Sequence, residues 1–274
     1  MYACFFLKIC IKKNKYVINY VDIFLTDNNM MKKITILLTA VFLINACSQN
    51  EQEVSEASES FVEYVWHKAG PDFSAENLAM LINTWNGMID GMQCSGMTGA
   101  NILTPEVASD GYDFIWVLLW NSKSSRDECW DDWTTNKQAE WDVLSEGIMN
   151  PDLDNVYLFE STVGQSPIEE NTSGQFVNEF NFCNYNDGFS NTSLDTFKND
   201  IAATNWSDSY WYVLLEPQFE QADPKPDFVW LNLWANSADK EMAQTKYFES
   251  ELPSTSGAAF ECNPVSFSGV AIRR

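Results

Sequence analysis

"DFIWVLLWNS" occupies Asp113–Ser122 and "DFVWLNLWANS" occupies Asp227–Ser237. Each phrase is a run of aromatic and branched aliphatic residues, the composition of a strand, and each ends in Asn/Ser residues suited to cap a following helix. The repetition is not isolated. "EYVWHKAGPDFS" (Glu63–Ser74) aligns with "EFNFCNYNDGFS" (Glu179–Ser190), and "ILTPE" at Ile102 aligns with "LLEPQ" at Leu214. The offsets are 116, 112 and 114 residues, in the same order along the chain. Collinear matches of this kind mark an internal repeat.

Each repeat has the same internal order. A strand (Phe61–Lys68, Phe176–Asn184) is followed by a helix opened by Phe-Ser. In the first repeat, Ser74 is the expected N-cap, and Leu78, Leu81, Ile82, Trp85 and Ile89 form a stripe at helical spacing. Leu194, Phe197 and Ile201 do the same in the second. A strand carrying Pro105 or Pro217 comes next, then a turn and the Phe-Trp strand. A second helix follows, with Trp130, Trp133, Trp141, Leu144 and Ile148 on one face in the first repeat. A closing strand is expected near Val156–Phe159 and Val265–Ile272. The pattern is β-α-β-β-α-β, twice, which is the ferredoxin-like order. In that order the second strand lies at a sheet edge, where a proline is tolerated.

The third strand decides how the repeats combine. A strand with one wet face alternates apolar with polar residues. Here Phe114, Trp116, Leu118 and Trp120 alternate with Ile115, Val117 and Leu119, and the second repeat is similar. Both faces must therefore be covered, one by helices and the other by the partner sheet. The expected fold is α+β, with two tandem ferredoxin-like units packed sheet to sheet. This resembles the dimeric α/β-barrel superfamily, fused into one chain. That superfamily includes antibiotic-biosynthesis-type and haem-degrading monooxygenases and stress-response proteins. The resemblance lies in topology and pattern over residues 61–274. No catalytic signature of the superfamily matches, so it transfers no catalytic residue.

The N-terminus reads differently. Met31-Lys32-Lys33 precedes an apolar run, Ile34–Ala46, that ends at Cys47. A basic start, a short apolar stretch and small residues before the cut are the marks of a secretion signal. "INAC" (Ile44–Cys47) resembles the lipobox of bacterial lipoproteins, which implies lipidation at Cys47; Ser48 after it implies the outer membrane rather than the inner. Residues 1–30 are then a start read too early, 31–46 the signal, 47–60 a polar acidic tether, 61–164 the first unit, 165–174 a linker and 175–274 the second unit. The expected location is the bacterial cell envelope, with the membrane reached through the lipid.

The chain carries 16 basic and 39 acidic residues, net −23; without residues 1–46 the balance is ten against 37, net −27. Such a surface repels nucleic acid and suits solubility in a salty medium.

Besides Cys47, the exported part holds Cys94, Cys129, Cys183 and Cys262. An oxidising compartment favours disulfides. Cys94 follows the first helix and Cys129 opens the second, which is antiparallel to it. Cys183 and Cys262 fall on neighbouring antiparallel strands. The expected pairs are Cys94–Cys129 and Cys183–Cys262. No metal site is expected, since there is no CxxC and one histidine.

The ligand space in this superfamily lies between the two sheets. Assigning the aliphatic face to the helices turns Trp116, Trp120, Trp230, Trp234 and Asn232 inward, together with Glu63, His67, Glu179 and Asn181. Two repeat-related carboxylates would then share one aromatic cavity, as acid–base chemistry requires; the same groups also suit a structural role. His67 could serve as a base or a haem ligand, and haem use occurs in the wider superfamily, but the residues name no cofactor. Three functions stay open: a binder of a small apolar or aromatic molecule, a monooxygenase- or isomerase-like enzyme using Glu63, Glu179 and His67, and a scaffold whose aromatic interior is packed core.

Overall fold

The computed structural model describes residues 60–169 and 171–274, all within one unit, Glu56–Arg274. The signal, Cys47 and the tether up to residue 59 lie outside the described residues; the last tether residue, Ser60, opens β1. The first half runs β1 (Ser60–Ala69), α1 (Ala75–Asp90), β2 (Met97–Pro105), β3 (Phe114–Trp120), α2 (Lys123–Asn136), α3 (Gln138–Ser145) and β4 (Met149–Gln165). The second runs β5 (Gln175–Tyr185), α4 (Asn191–Ala203), β6 (Trp211–Pro217), β7 (Phe228–Trp234), α5 (Ser237–Glu249), α6 (Leu252–Ala259) and β8 (Phe260–Arg273).

The helices start where capping residues stand. The Ser74 hydroxyl accepts from the Asn77 N–H at 3.1 Å, Ser122 does the same for Ser125, and the Asn236 side chain accepts from the Asp239 N–H at 2.9 Å. Ser190 and Ser193 bond reciprocally at the start of α4. Two differences from the expected elements stand out. The second helix of each half is broken into two pieces, α2/α3 and α5/α6; Pro253 at the start of α6 suits the second break. The closing strands are also much longer than their apolar cores, because Asp152, Asp154 and Asn155 interrupt the alternation in β4 without ending the strand.

The extra length has a structural use. All eight strands form one closed barrel in the order β1-β3-β2-β8-β5-β7-β6-β4. The far end of β4, Phe159–Gln165, pairs with β6 of the other half, and the far end of β8 pairs with β2. The halves are therefore joined by hydrogen-bonded seams, and not only by packing of one sheet on another. This corrects the expected edge position of the prolines: β2 and β6 are seam strands, and Pro105 and Pro217 sit at their last residues, opposite Phe267 and Phe159. Closure removes every free edge.

The facing of β3 and β7 is the opposite of the expected one. Ile115, Val117, Val229, Leu231 and Leu233 fill the barrel with Leu103, Val213 and Leu215. Trp116 and Trp120 pack outward beneath α1–α3, against Leu81, Trp85, Trp133 and Trp141. Trp230 and Trp234 pack beneath the helices of the second half. The interior of an eight-stranded barrel is just wide enough for side chains to fill. Aliphatic residues fit that width, while indoles need the deeper space between a sheet and its helices.

Disulfides join Cys94 to Cys129 and Cys183 to Cys262, the pairing expected from the topology. The second links residues directly opposite on β5 and β8. Among the described residues no helix is long and apolar enough to cross a membrane.

Replacing Cys94 and Cys129 together by serine should destabilise the fold by about 3–4 kcal/mol, the chain-entropy value for such a loop. The bridge spans a sequence separation of 35. Denaturant unfolding of the double variant checks this, and non-reducing peptide mapping should recover the same two pairs.

Candidate functional site

Along β1, Val62, Tyr64 and Trp66 face the barrel interior. Glu63, Val65 and His67 therefore face the helices. β5 alternates likewise, so Glu179, Asn181 and Cys183 lie under the second helical layer. The carboxylates do not share a cavity, as was expected of them; each sits beneath its own half's helices.

Their surroundings are related by the repeat. Glu63 is fully buried and receives both oxygens' bonds from α2. Arg126 Nε donates to Oε1 at 3.1 Å, Arg126 Nη2 makes a closer contact to the same oxygen, and Trp130 Nε1 donates to Oε2 at 2.9 Å. In the second half Lys240 takes the place of Arg126 and Gln244 that of Trp130, each 114 residues later. Lys240 Nζ lies 3.6 Å from Glu179 Oε2, Gln244 Nε2 donates to it at 3.4 Å and Ser266 Oγ at 3.3 Å. All three partners address Oε2; among the described residues no donor bonds Oε1. Nothing in the sequence patterns singled out Arg126 or Lys240. The signal that could have found them is their shared position in the repeat.

The space under the helices differs between the halves. In the first half it is a cavity of about 80 Å³, crowded by Trp85, Trp116, Trp133 and Trp141. In the second it is a cavity of about 510 Å³, lined in part by Glu179, Asn181, Trp230, Asn232 and Trp234. Those five were expected between the sheets, with Glu63, Trp116 and Trp120; they line this space beneath the helices instead. Trp116 and Trp120, their first-half counterparts, line the small space instead, with His67. Side chains from the loops and helices complete the larger wall, notably Phe197, Tyr210 and Tyr247.

The polar groups of the larger cavity are oriented. Trp230 Nε1 donates to Asn232 Oδ1 at 2.8 Å, and the Tyr210 hydroxyl donates to the same oxygen at 2.9 Å. An indole can only donate, so the Asn232 atom facing it is the carbonyl, and its amide is left free. Trp230 is itself held by Tyr212, stacked at 4.1 Å. Trp234 Nε1 is buried and has no acceptor among the described residues. The cavity thus offers one donor, the Asn232 amide, and one acceptor, Glu179 Oε1, while the Trp234 indole N–H is sealed in the wall. Aromatic faces make up much of the wall.

His67 belongs to the first half. It is 5% exposed, stacks on Phe114 at 5.1 Å and hydrogen-bonds through Nδ1 to the Val65 carbonyl at 2.9 Å. A carbonyl only accepts, so Nδ1 carries the proton. Burial pushes its pKa down to about 4. The chain has no other histidine. A haem held by His67 does not fit: its side chain faces the 80 Å³ space, and no histidine lines the larger one. Among the described residues no cluster of three metal-binding side chains occurs.

No family model matches the sequence, and no curated protein matches it. Solved structures do match in fold. A provisionally assigned monooxygenase of Fusobacterium nucleatum subsp. nucleatum is 10% identical, with 78% of this chain and 94% of that one covered and a TM-score of 0.54. An anthrone oxidase-like protein is 12% identical, with 79% and 92% covered and a TM-score of 0.46. A mutant chlorite dismutase of Candidatus Nitrospira defluvii is 8% identical, with 78% and 92% covered and a TM-score of 0.49. At these identities the likeness concerns the fold, a mixed α+β architecture of the dimeric α/β-barrel kind.

Two outcomes follow from the geometry. Glu63→Ala should cost about 3 kcal/mol or more, because it takes a fully buried partner from both the Arg126 guanidinium and the Trp130 indole, whereas Glu179→Ala should cost about 1 kcal/mol, since its contacts are longer and Lys240 keeps Glu106 at 3.3 Å. Urea denaturation of the two variants measures the difference. His67 titrates near 4 when folded and near 6.5 when unfolded. The unfolded chain binds the extra proton between those values, so this stability is present above pH 6.5 and lost as pH falls towards 4. The full effect is about 3 kcal/mol. His67→Gln should flatten the melting temperature against pH across that window, relative to the parent.

Proposed function

We propose that this protein is a binder of a small aromatic molecule, held in the cavity beneath the helices of the second half. The supporting observation is the asymmetry of the repeat. The same position is packed with indoles in one half and, in the other, is a 510 Å³ cavity with oriented polar groups. That size lies within the usual range of ligand sites, about 300–1,000 Å³. Glu179 suits a hydroxyl or amine on the ligand, the Asn232 amide suits an acceptor, and the aromatic walls suit a flat ring. Asn181, Trp230, Asn232 and Trp234, expected between the sheets, line this cavity beneath a helical layer.

The enzyme reading is narrower. Glu63, Glu179 and His67 do not meet, so they cannot act as one catalytic set. Glu179 alone faces the cavity and could act there as a base. We further read the chain as two tandem ferredoxin-like units forming an intramolecular dimeric barrel, anchored to the outer membrane of a bacterial envelope by lipid on Cys47. The repeat and the signal-like segment before Cys47 support this. Radiolabelled fatty acid should be incorporated into the parent chain and not into Cys47→Ser.

Binding is tested with 2-naphthol and naphthalene, followed by tryptophan fluorescence. A hydrogen bond to a charged group contributes about 1.5–3 kcal/mol, so 2-naphthol should bind at least about tenfold more tightly. Glu179→Gln and Asn232→Leu, the latter restoring the first-half residue, should each erase that advantage. Equal affinity for both probes, or an advantage that survives both substitutions, would refute the site.

A further inference from the structure

The interior of the barrel is filled along most of its length by aliphatic side chains. At the end crossed by the β6–β7 loop, residues 218–227, the filling stops. A cavity of about 420 Å³ remains there, separate from the one beneath the helices. Its wall is a lattice of rings set edge to face. Tyr64 meets Phe159 at 5.7 Å and Phe180 at 5.4 Å, Phe180 meets Phe267 at 5.6 Å, and Phe219 of the loop meets Phe159 at 5.2 Å. These contacts hold the rings against each other, so the wall is fixed around the space.

The chemistry of the wall is one-sided. It contains no charged side chain, and its polar side chains are three tyrosines, Trp66 and Gln221. Burial keeps the Tyr64 phenol far above its ordinary pKa, hence neutral. The surroundings are acidic. The loop carries Glu220, Asp223 and Asp227 against Lys225, and Asp152 is close enough to help raise the Tyr157 pKa after burial does so. A negative rim around an uncharged pocket disfavours carboxylates and phosphates. It leaves uncharged apolar molecules unopposed.

We propose that the barrel mouth is a second binding site, which takes an uncharged, largely hydrocarbon ring compound. The site is independent of the cavity beneath the helices, and neither reading needs the other. Ala222 and Gln221 line it from the exposed loop, so bulk can be added there without touching the core. Gly257 lines only the other cavity, and a Cβ added to it would meet nothing within 4 Å.

The test uses the whole chain as Cys47→Ser, which keeps lipid off that residue, with the neutral fluorophore N-phenyl-1-naphthylamine as probe. Its fluorescence should rise saturably, and phenanthrene should displace it while palmitate does not. Ala222→Trp should weaken binding at least about tenfold, and Gly257→Phe should leave it unchanged. Gln221→Trp is a second plug should Ala222→Trp not fold, as judged by near-ultraviolet circular dichroism. The proposal is overturned if binding is absent, if palmitate competes as well as phenanthrene, or if Gly257→Phe abolishes binding that a folded loop variant retains. That last pattern would place the probe beneath the helices and leave the function proposed above standing.

Discussion

The structure depends on one constraint: the third strand of each repeat is apolar on both faces. A half standing alone could cover only one of them with its helices. It would leave Ile115, Val117 and their counterparts in water, and two strand edges unpaired. Pairing the halves removes both problems together. The aliphatic faces meet inside the barrel, and the β2–β8 and β4–β6 seams join the remaining edges. The far ends of the closing strands, Phe159–Gln165 of β4 and Phe267–Arg273 of β8, form those seams.

Once the scaffold is fixed by both halves, each helical layer can diverge. The first keeps a carboxylate locked by Arg126 and Trp130 under a filled layer of indoles. In the second, lysine and glutamine replace those partners, asparagine replaces Leu118, and the tryptophan pair of α2 becomes Gln244 and Tyr247. The result is space in place of packing, and hydrogen-bonding groups left with capacity to spare. One copy packs its helical layer and the other leaves space there, and so similar a pair of phrases ends in different surroundings.

Much of this was legible in the sequence, and the rest was hidden for identifiable reasons. The strands, the Ser74 cap, the α1 stripe and the disulfide partners follow from periodicity and collinearity, which are local or repeated signals. The facing of β3 and β7 did not follow. Alternation separates Trp116 and Trp120 from Ile115 and Val117, but both sets are apolar, and only the width of a closed barrel decides which goes inside. The grouping of Glu179, Asn181, Trp230, Asn232 and Trp234 survived that reversal, because residues on one face stay together whichever way the face turns. Phe197, Tyr210 and Tyr247 were not legible as site residues, since they come from separate elements that the fold alone brings together. The aromatic mouth was hidden because Tyr64, on β1, meets Phe180, on β5 of the other half, only when the barrel closes.

The central claim is that equivalent spaces in the two halves are packed in one and open in the other. A crystal structure determined under xenon pressure addresses it directly, because xenon enters apolar cavities that proteins leave unfilled. The account predicts strong xenon occupancy beneath the helices of the second half, near Trp230 and Phe197, and far weaker occupancy in the small space beside Trp116 and Trp85. Equal occupancy in both places, or none in the second half, would contradict it.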